Sequence, residues 1–249
     1  MQVLVTGGLG YIGSHTSVLL LEKGYDLVIV DDLSNSNEKV IENISQITSK
    51  VPVFEKIDLK DKESVSKLFN SYDFDGIIHF AAHKSVNESV NYPDKYFKNN
   101  VGSLENIIYE IQKLKKPMNF IFSSSCTVYG QADSMPINEG FELKKAESPY
   151  GQSKRKCEEI LENFHKTAHN FKNITLRYFN PIGAHPTSLI GELPIGIPEN
   201  LVPYITQTAV GKRDHLTVFG DDYDTNDGTC VRDYIHIMDS VSYTHLRAH

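Results

Sequence analysis

Short apolar, largely β-branched runs recur along the chain and alternate with longer stretches of helical period. The runs lie at 3–5, 27–30, 51–54, 77–80, 120–122 and 174–176. They are apolar at successive positions rather than at every second one, which suits strands buried on both faces. Between them, apolar residues spaced three and four apart predict helices over 12–23, 38–47, 62–70, 94–114 and 150–169. Alternating strands and helices predict an α/β fold with a doubly wound parallel sheet. Beyond residue 180 the texture changes, with Pro181, Gly183, Pro186, Gly191, Pro194, Gly196 and Pro198 crowded ahead of an apolar segment at 201–210. Such crowding marks a domain boundary or a binding loop.

Composition narrows the class. At 249 residues, 40% hydrophobic and 23% charged, the chain has ordinary globular content, and its longest apolar runs are far too short to cross a bilayer. A soluble protein is expected, with no membrane partner. A formal charge of -7 gives no basic excess for a nucleic-acid backbone, while a locally positive pocket for small anions stays open. Cys126, Cys157 and Cys230 are widely spaced and form no CxxC pair, so reduced thiols and a cytoplasmic location are expected. A strand-like run beginning at Gln2 leaves no room for a leader sequence before it. His79, His83 and His185 show no metal-binding spacing and read as core or loop histidines, so no metal is expected.

The first candidate chemistry follows the first predicted strand. Gly7, Gly10 and Gly13 form a GxxGxxG turn that opens the first helix. Glycines permit a tight turn and a close approach of backbone to a pyrophosphate, and the helix N-terminus supplies amide donors and a positive dipole. On spacing alone, the motif also fits a strand-to-helix turn without a ligand. Asp31, 18 residues past Gly13 at the end of the second predicted strand, adds weight, with Asp32 beside it. A carboxylate there accepts hydrogen bonds from a ribose diol and repels a 2'-phosphate, which favours NAD over NADP and makes the sheet Rossmann-type.

Tyr150 and Lys154 stand four residues apart in a predicted helix, on one face. A cation near a tyrosine lowers the phenol's pKa and makes it a usable base. Alone, such a spacing is commonly just a surface pair. Ser123, Ser124 and Ser125 end the fifth predicted strand, where a hydroxyl can reach a ligand bound outside the carboxyl edge of an open sheet. A serine-rich loop that merely caps the next element is the alternative. Glycine turn, acidic strand end, strand-five serine and Tyr/Lys pair together are far less frequent by accident than any one of them.

With these motifs in place, the chain resembles the extended short-chain dehydrogenases and, within them, the UDP-glucose 4-epimerases. The stretches that carry the resemblance are LVTGGLGYIGSHT, IIHFAAHKSVNES, NNVGS, FIFSSSCTVYG, SPYGQSK, LRYFNPIGAHP, PENLVPYITQ and DGTCVRDYIHIMD. The last three are the more specific. The resemblance implies an NAD-dependent isomerase of galactose metabolism that interconverts UDP-galactose and UDP-glucose by transient oxidation at the sugar C4. It implies Tyr150 as the base at the 4-hydroxyl, Ser125 as the hydroxyl bridging substrate and tyrosine, and Lys154 as the clamp on the nicotinamide ribose. By the same resemblance the NAD site takes in Tyr11, Ile12, Asp31, Asp32, Leu33, Ser34, Asn35, Ser36, Asp58, Leu59, Phe80, Ala81, Ala82, His83, Lys84, Asn99 and Phe179 beside the three glycines. Asn180, Asn200, Leu201, Phe219 and Arg232 are implied as contacts to the UDP-sugar, with Arg232 suited to the diphosphate because a guanidinium offers several fixed donors. A homodimer through helices 94–114 and 150–169 is also implied.

The organisation expected from this likeness is an NAD-binding Rossmann domain at 1–179 and a smaller, incomplete UDP-sugar-binding region at 180–241. Residues 242–249, SYTHLRAH, show no helix cap or closing strand and read as a tail unrelated to the family. Three other readings meet specific difficulties or tests. A nucleotide-sugar 4,6-dehydratase needs an acid and a base after the strand-five hydroxyl, where this chain has Cys126 and Thr127. A UDP-glucuronate epimerase or decarboxylase shares the Ser/Tyr/Lys set and differs in its contacts to a sugar carboxylate. A non-catalytic dinucleotide sensor has no need of the Tyr150/Lys154 pair that this chain keeps.

Overall fold

The computed structural model describes residues 1–246. The first half alternates β1 (Gln2–Thr6), α1 (Tyr11–Glu22), β2 (Asp26–Asp31), α2 (Lys39–Thr48), β3 (Val53–Lys56), α3 (Lys62–Ser71) and β4 (Gly76–His79). Two short helices follow, α4 (Val86–Asn91) and α5 (Pro93–Tyr96), then a π-helical stretch (Phe97–Val101), α6 (Gly102–Lys113) and β5 (Met118–Ser125). A 3₁₀ turn (Cys126–Tyr129) leads to α7 (Pro149–Thr167) and β6 (Phe171–Tyr178), and then to β7 (Asn180–Ile182), α8 (Leu201–Ala209), β8 (Tyr234–His236) and α9 (Ile237–Leu246).

Among the described residues six strands form one fully parallel sheet in the order β3-β2-β1-β4-β5-β6. The apolar runs are continuous because each strand feeds two cores. Leu4, Val28, Val30, Ile77, Phe120 and Phe122 face the helices α3, α6 and α7, where Leu68, Leu104, Ile108 and Leu161 bury against them. Val3, Val5, Ile29, Ile78 and Ile121 point the other way, onto Val18 and Leu21 of α1 and Ile44 of α2. Alternate side chains leave a strand on opposite faces, so a strand covered on both sides carries no polar alternation. The order reverses beside β1, since the chain runs outward through β2 and β3 and then returns to place β4 on β1's other side. That reversal opens a crevice at the carboxyl edge, between the loops after β1 and β4.

The doubly wound α/β sheet expected from the sequence is present, with four local differences. The predicted strand at 51–54 is shifted to β3, because Pro52 has no N–H to give to the ladder. The single helix expected over 94–114 is instead α5, the π stretch and α6; Asn99 and Asn100 occupy the widened turn and direct polar groups out of the helix. The short helix α4 has too few apolar positions to show a period, and Ser85 caps it by accepting from the Glu88 amide at 3.0 Å. Lastly, the chain end, which shows no helix cap in sequence, is helical through Leu246, and residues 242–246 continue α9. Thr244 there is buried and shares a 2.6 Å hydrogen bond with the Tyr178 hydroxyl at the end of β6. Residues 247–249 of the expected tail lie outside the described residues.

β7 and β8 form a small parallel sheet of their own. Cys126, Cys157 and Cys230 are free thiols. No helix among the described residues is long and apolar enough to cross a membrane.

Two predictions follow from this packing. A Cβ at residue 13 would lie 2.2 Å from the Gly7 carbonyl oxygen and 2.8 Å from Gly8 Cα, both backbone atoms. Gly13→Ala should therefore destabilise the fold by about 1–3 kcal/mol in urea unfolding; an unchanged midpoint would show that the turn can yield. His15 of α1 is fully buried, its Nδ1 bonded to the Tyr11 carbonyl and its Nε2 without a partner among the described residues. Burial, together with His185 and His236, holds its pKa down to about 4, below the unfolded value near 6.5. The unfolded chain thus binds the extra proton between these values, so this contribution is complete above pH 6.5 and is lost as pH falls toward 4. Across that window the His15→Gln variant should lose less stability than the unaltered chain, by on the order of 2 kcal/mol; parallel stability curves would refute this.

Candidate functional site

The glycine turn is shaped by backbone contact. Gly7 sits at φ +64, and a Cβ on it would come within 2.6 Å of the Ala81 nitrogen. The β1 turn and the β4 loop therefore pack backbone to backbone across the crevice, which only glycine allows at this position. Gly10 is the N-cap of α1 and offers no side chain to its first turn. The amides that begin at Tyr11 and Ile12 thus face the crevice with the positive end of the helix dipole, an arrangement suited to a phosphate group. The residues fit the pyrophosphate of a dinucleotide, because the glycines let the turn pack directly against the β4 loop and the helix end is left uncapped.

Asp31 ends β2 with only 7% of its surface exposed. Its Oδ2 accepts from the Leu9 amide at 3.1 Å, and its Oδ1 accepts from the Leu33 amide at 3.0 Å and the Ser36 hydroxyl at 2.7 Å. One carboxylate thereby fixes the glycine turn to the loop of Leu33, Ser34, Asn35 and Ser36. Leu33 takes a φ of 62 in that loop, a conformation other side chains rarely adopt, with its amide held by Asp31. Asp32 accepts from the Ser34 amide at 2.9 Å. After β3, Asp58 accepts from the Lys60 amide, while Leu59 is buried and its carbonyl takes the Asn106 amide at 2.9 Å. Phe80, Ala81, Ala82, His83 and Lys84 form the loop after β4, with the Phe80 amide bonded to the Thr6 carbonyl at 3.0 Å. His79, at the end of β4, is a core histidine sharing a 2.7 Å hydrogen bond with Thr6, and burial drives its pKa down to about 3.

The Ser/Tyr/Lys group gathers where β5 meets α7. Ser148 caps α7 by accepting from the Gly151 amide at 3.1 Å, and Pro149 fills the first helical position, where a missing N–H costs nothing. Tyr150 follows at once, half-buried, with its ring edge-on to Tyr96 at 6.4 Å. Burial raises its phenol to about 12, and the adjacent Ser125 hydroxyl pulls it partway back. Ser125 Oγ accepts from the Thr127 amide at 3.3 Å and hydroxyl at 3.0 Å. Lys154, 4% exposed, lies one turn on, but its ammonium donates to the Ser123 carbonyl at 2.7 Å and stands 4.9 Å from the centre of the Phe122 ring. Burial lowers its pKa to about 8. The helical spacing does bring Tyr150 and Lys154 to one face; the ammonium in this state points to the strand end rather than to the phenol.

Several supporting residues were not singled out from the sequence. Asn100, in the π turn, donates to the His83 carbonyl at 3.1 Å and to Ser153 Oγ at 3.0 Å, and accepts from the His83 amide at 2.8 Å. Ser153 in turn donates to the Tyr150 carbonyl at 2.7 Å, so Asn100 ties the β4 loop to the turn of α7 that carries the tyrosine. Glu158 accepts from Arg177 at 2.7 Å and from Ser124 at 2.5 Å, pinning α7 to the ends of β5 and β6. An asparagine pair inside a predicted helix was the available signal for the first network. The second is long-range and leaves none.

The residues implied for the sugar nucleotide are less gathered. Asn180 donates to the Asp233 carbonyl at 2.8 Å, and Asn200 stands at the N-terminus of α8 without a capping bond and donates to Glu192 at 2.6 Å. Leu201 is exposed, Phe219 is 98% exposed, and Arg232 is exposed with a bond to its neighbouring Val231 carbonyl; Phe179, implied for the NAD site, is exposed as well. A surface depression lined by Met118 and Phe171 lies at the opposite, amino edge of the sheet, where the motifs do not converge.

A sequence profile of the GDP-mannose 4,6 dehydratase family, a group of extended short-chain dehydrogenases, matches residues 4–246. The UDP-glucose 4-epimerase uge1 of Schizosaccharomyces pombe is 50% identical over 95% of the chain and 67% of its own length. Two solved UDP-glucose 4-epimerases superpose on the fold. The Stenotrophomonas maltophila protein, with bound NAD and formylated UDP-arabinopyranose, has TM-score 0.94 and 46% identity over 100% of this chain and 73% of its own. The Bifidobacterium longum protein, in complex with NAD+ and UDP, has TM-score 0.95 and 43% identity over 98% and 73%. This chain thus spans 67% to 73% of the length of these relatives. On sequence and fold together, the chain belongs to the UDP-glucose 4-epimerase family of extended short-chain dehydrogenases.

Proposed function

We propose that the chain interconverts UDP-galactose and UDP-glucose, with NAD held in the crevice between β1 and β4. The observation that carries this reading is the meeting of Tyr150 and Ser125 at the carboxyl end of β5, one helical turn from the buried Lys154. The glycine turn, Asp31 and the β4 loop are assigned to the dinucleotide, and Asn180, Asn200, Leu201, Phe219 and Arg232 to the nucleotide-sugar. Residues 1–179 are assigned as the dinucleotide-binding domain and 180–241 as the sugar-nucleotide region. NAD, when bound, supplies a hydride acceptor and a positive ring charge.

The chain's own residues do the proton chemistry. A phenol near 12 stays protonated at neutral pH, so Tyr150 becomes a base only when positive charge is brought beside it, where low dielectric magnifies the effect. Tyr150 then takes the 4-hydroxyl proton as C4 loses hydride, leaving a 4-keto sugar. Ser125 orients that hydroxyl. After the keto sugar turns over, hydride returns to the opposite face of C4 and Tyr150 gives the proton back, so nothing is consumed. Lys154 can exchange the Ser123 carbonyl for ribose hydroxyls. An elimination of water would need further acid and base groups next to Ser125, but Thr127 is engaged there as a donor to Ser125 itself, and Cys126 is held protonated by burial.

We also infer a cytoplasmic protein and a homodimer through the helices at 94–114 and 150–169, a pairing that sedimentation at micromolar concentration would detect. For the chemistry, Tyr150→Phe should lower kcat by about 100-fold or more in a coupled assay of UDP-glucose formation from UDP-galactose. Lack of interconversion by the unaltered chain, or near-undiminished turnover by the variant, would overturn the assignment. UDP-glucuronate should remain unconverted under the same conditions.

A further inference from the structure

The segment from residue 183 to residue 200 lies across the carboxyl edge of the main sheet and is fastened to it at several points. The Tyr11 hydroxyl donates to the Gly183 carbonyl at 2.7 Å, and Asn43 donates to the Leu189 carbonyl at 2.8 Å. Ile190, 3% exposed, is buried in the core beneath α1 and α2. An antiparallel bridge between Ala184 and Gly191, and a 3.0 Å bond from the His185 amide to the Ile190 carbonyl, fold the segment back on itself. This rigid fold-back delivers Glu192. Its side chain is 10% exposed, and one oxygen, Oε1, accepts both from Lys84 Nζ at 2.9 Å and from Asn200 Nδ2 at 2.6 Å.

The two donors come from opposite sides of the site. Lys84 stands in the loop after β4, at the crevice where the strand order reverses. Asn200 opens α8, on the segment that follows β7. We propose that Glu192 is a positioning residue that links the dinucleotide and nucleotide-sugar sites by holding Lys84 and Asn200 on a single carboxylate oxygen. The inference rests on the proposed function and names how its two sites communicate.

Both ligands are anionic diphosphates. An anion drawn to Lys84 competes with Glu192 for the ammonium, and a largely buried carboxylate deprived of its counter-ion is costly to keep in place. Turning toward solvent relieves that cost and releases the Asn200 amide to donate to the second ligand. Occupancy of one site then favours the other, and by linkage the coupling is reciprocal.

The test is calorimetric binding of UDP to NAD-loaded and NAD-stripped protein, with circular dichroism to verify the fold. The unaltered chain should bind UDP at least about 5-fold more tightly when loaded, the lower end of ordinary coupling between sites. Glu192→Gln removes the charge and should bring that ratio to near one, as should Lys84→Gln. Glu192→Asp keeps the charge on a shorter reach and should retain part of the ratio, which a merely structural role would not predict; it also serves if the Gln variant fails to fold. A ratio of one in the unaltered chain, or an unchanged ratio in Glu192→Gln, would overturn the linkage alone. Failure of UDP to bind in either state would overturn the proposed function and this inference with it.

Discussion

The site depends on two stretches of backbone lying closer together than side chains permit. Gly7 packs against Ala81, and Gly13 against the Gly7 carbonyl, so that the turn after β1, the first turn of α1 and the loop after β4 meet where the strand order reverses. A methyl group at either glycine would drive these elements apart and move the uncapped helix end away from the crevice. Much of the remaining polar structure fixes this approach. Asp31 holds the turn from the β2 side through the Leu9 amide, and Thr6 holds it from the β4 side through His79. The uncapped helix end is thus a consequence of chain packing, and its dipole favours a diphosphate even in a protein with a net charge of -7.

Across the crevice α7 is set by side chains instead. Asn100 reaches from the π turn to Ser153, and the Glu158–Arg177 ion pair joins α7 to β6. Between these anchors Tyr150 and Lys154 are driven in opposite directions by the same cause, the phenol upward to about 12 and the ammonium downward to about 8. Both shifts favour the neutral forms, as desolvation requires. A positive charge brought beside this buried phenol therefore does more to it than it could in water.

The sequence disclosed what is local or periodic. Apolar runs without alternation gave the doubly wound sheet because the strands are covered on both faces, and the glycine spacing located the turn because the steric demand falls on residues close in the chain. Helical spacing put Tyr150 and Lys154 on one face, but the ammonium's choice of the Ser123 carbonyl depends on where β5 ends relative to α7, which no spacing encodes. The π stretch interrupts a run whose apolar period looks unbroken, since one extra residue in a turn hardly disturbs a period of 3.6. The helix at 237–246 was missed because its apolar content is modest and its support comes from packing on α1 and from the Tyr178–Thr244 contact, 66 residues apart in sequence. Glu192 escaped for the same reason, its partner Lys84 lying 108 residues earlier.

The two halves of the site differ in how they are held, and that difference has a chemical consequence. The side proposed for the dinucleotide is built from strand ends and a helix terminus, whose positions are over-determined by two cores. The side proposed for the sugar is carried on 180–236, where the small β7–β8 sheet, the Asn180 bond to the Asp233 carbonyl and the fold-back at 184–191 supply the order, while Phe219 and Arg232 remain in solvent. A reaction that removes hydride from a sugar carbon and returns it to the other face requires a fixed acceptor and a sugar free to turn. A rigid crevice facing a region that leaves Phe219 and Arg232 in solvent suits both demands, provided that the two sides keep register. The contacts that span them, Tyr11 to Gly183 and Lys84 to Glu192, set that register at the mouth of the crevice.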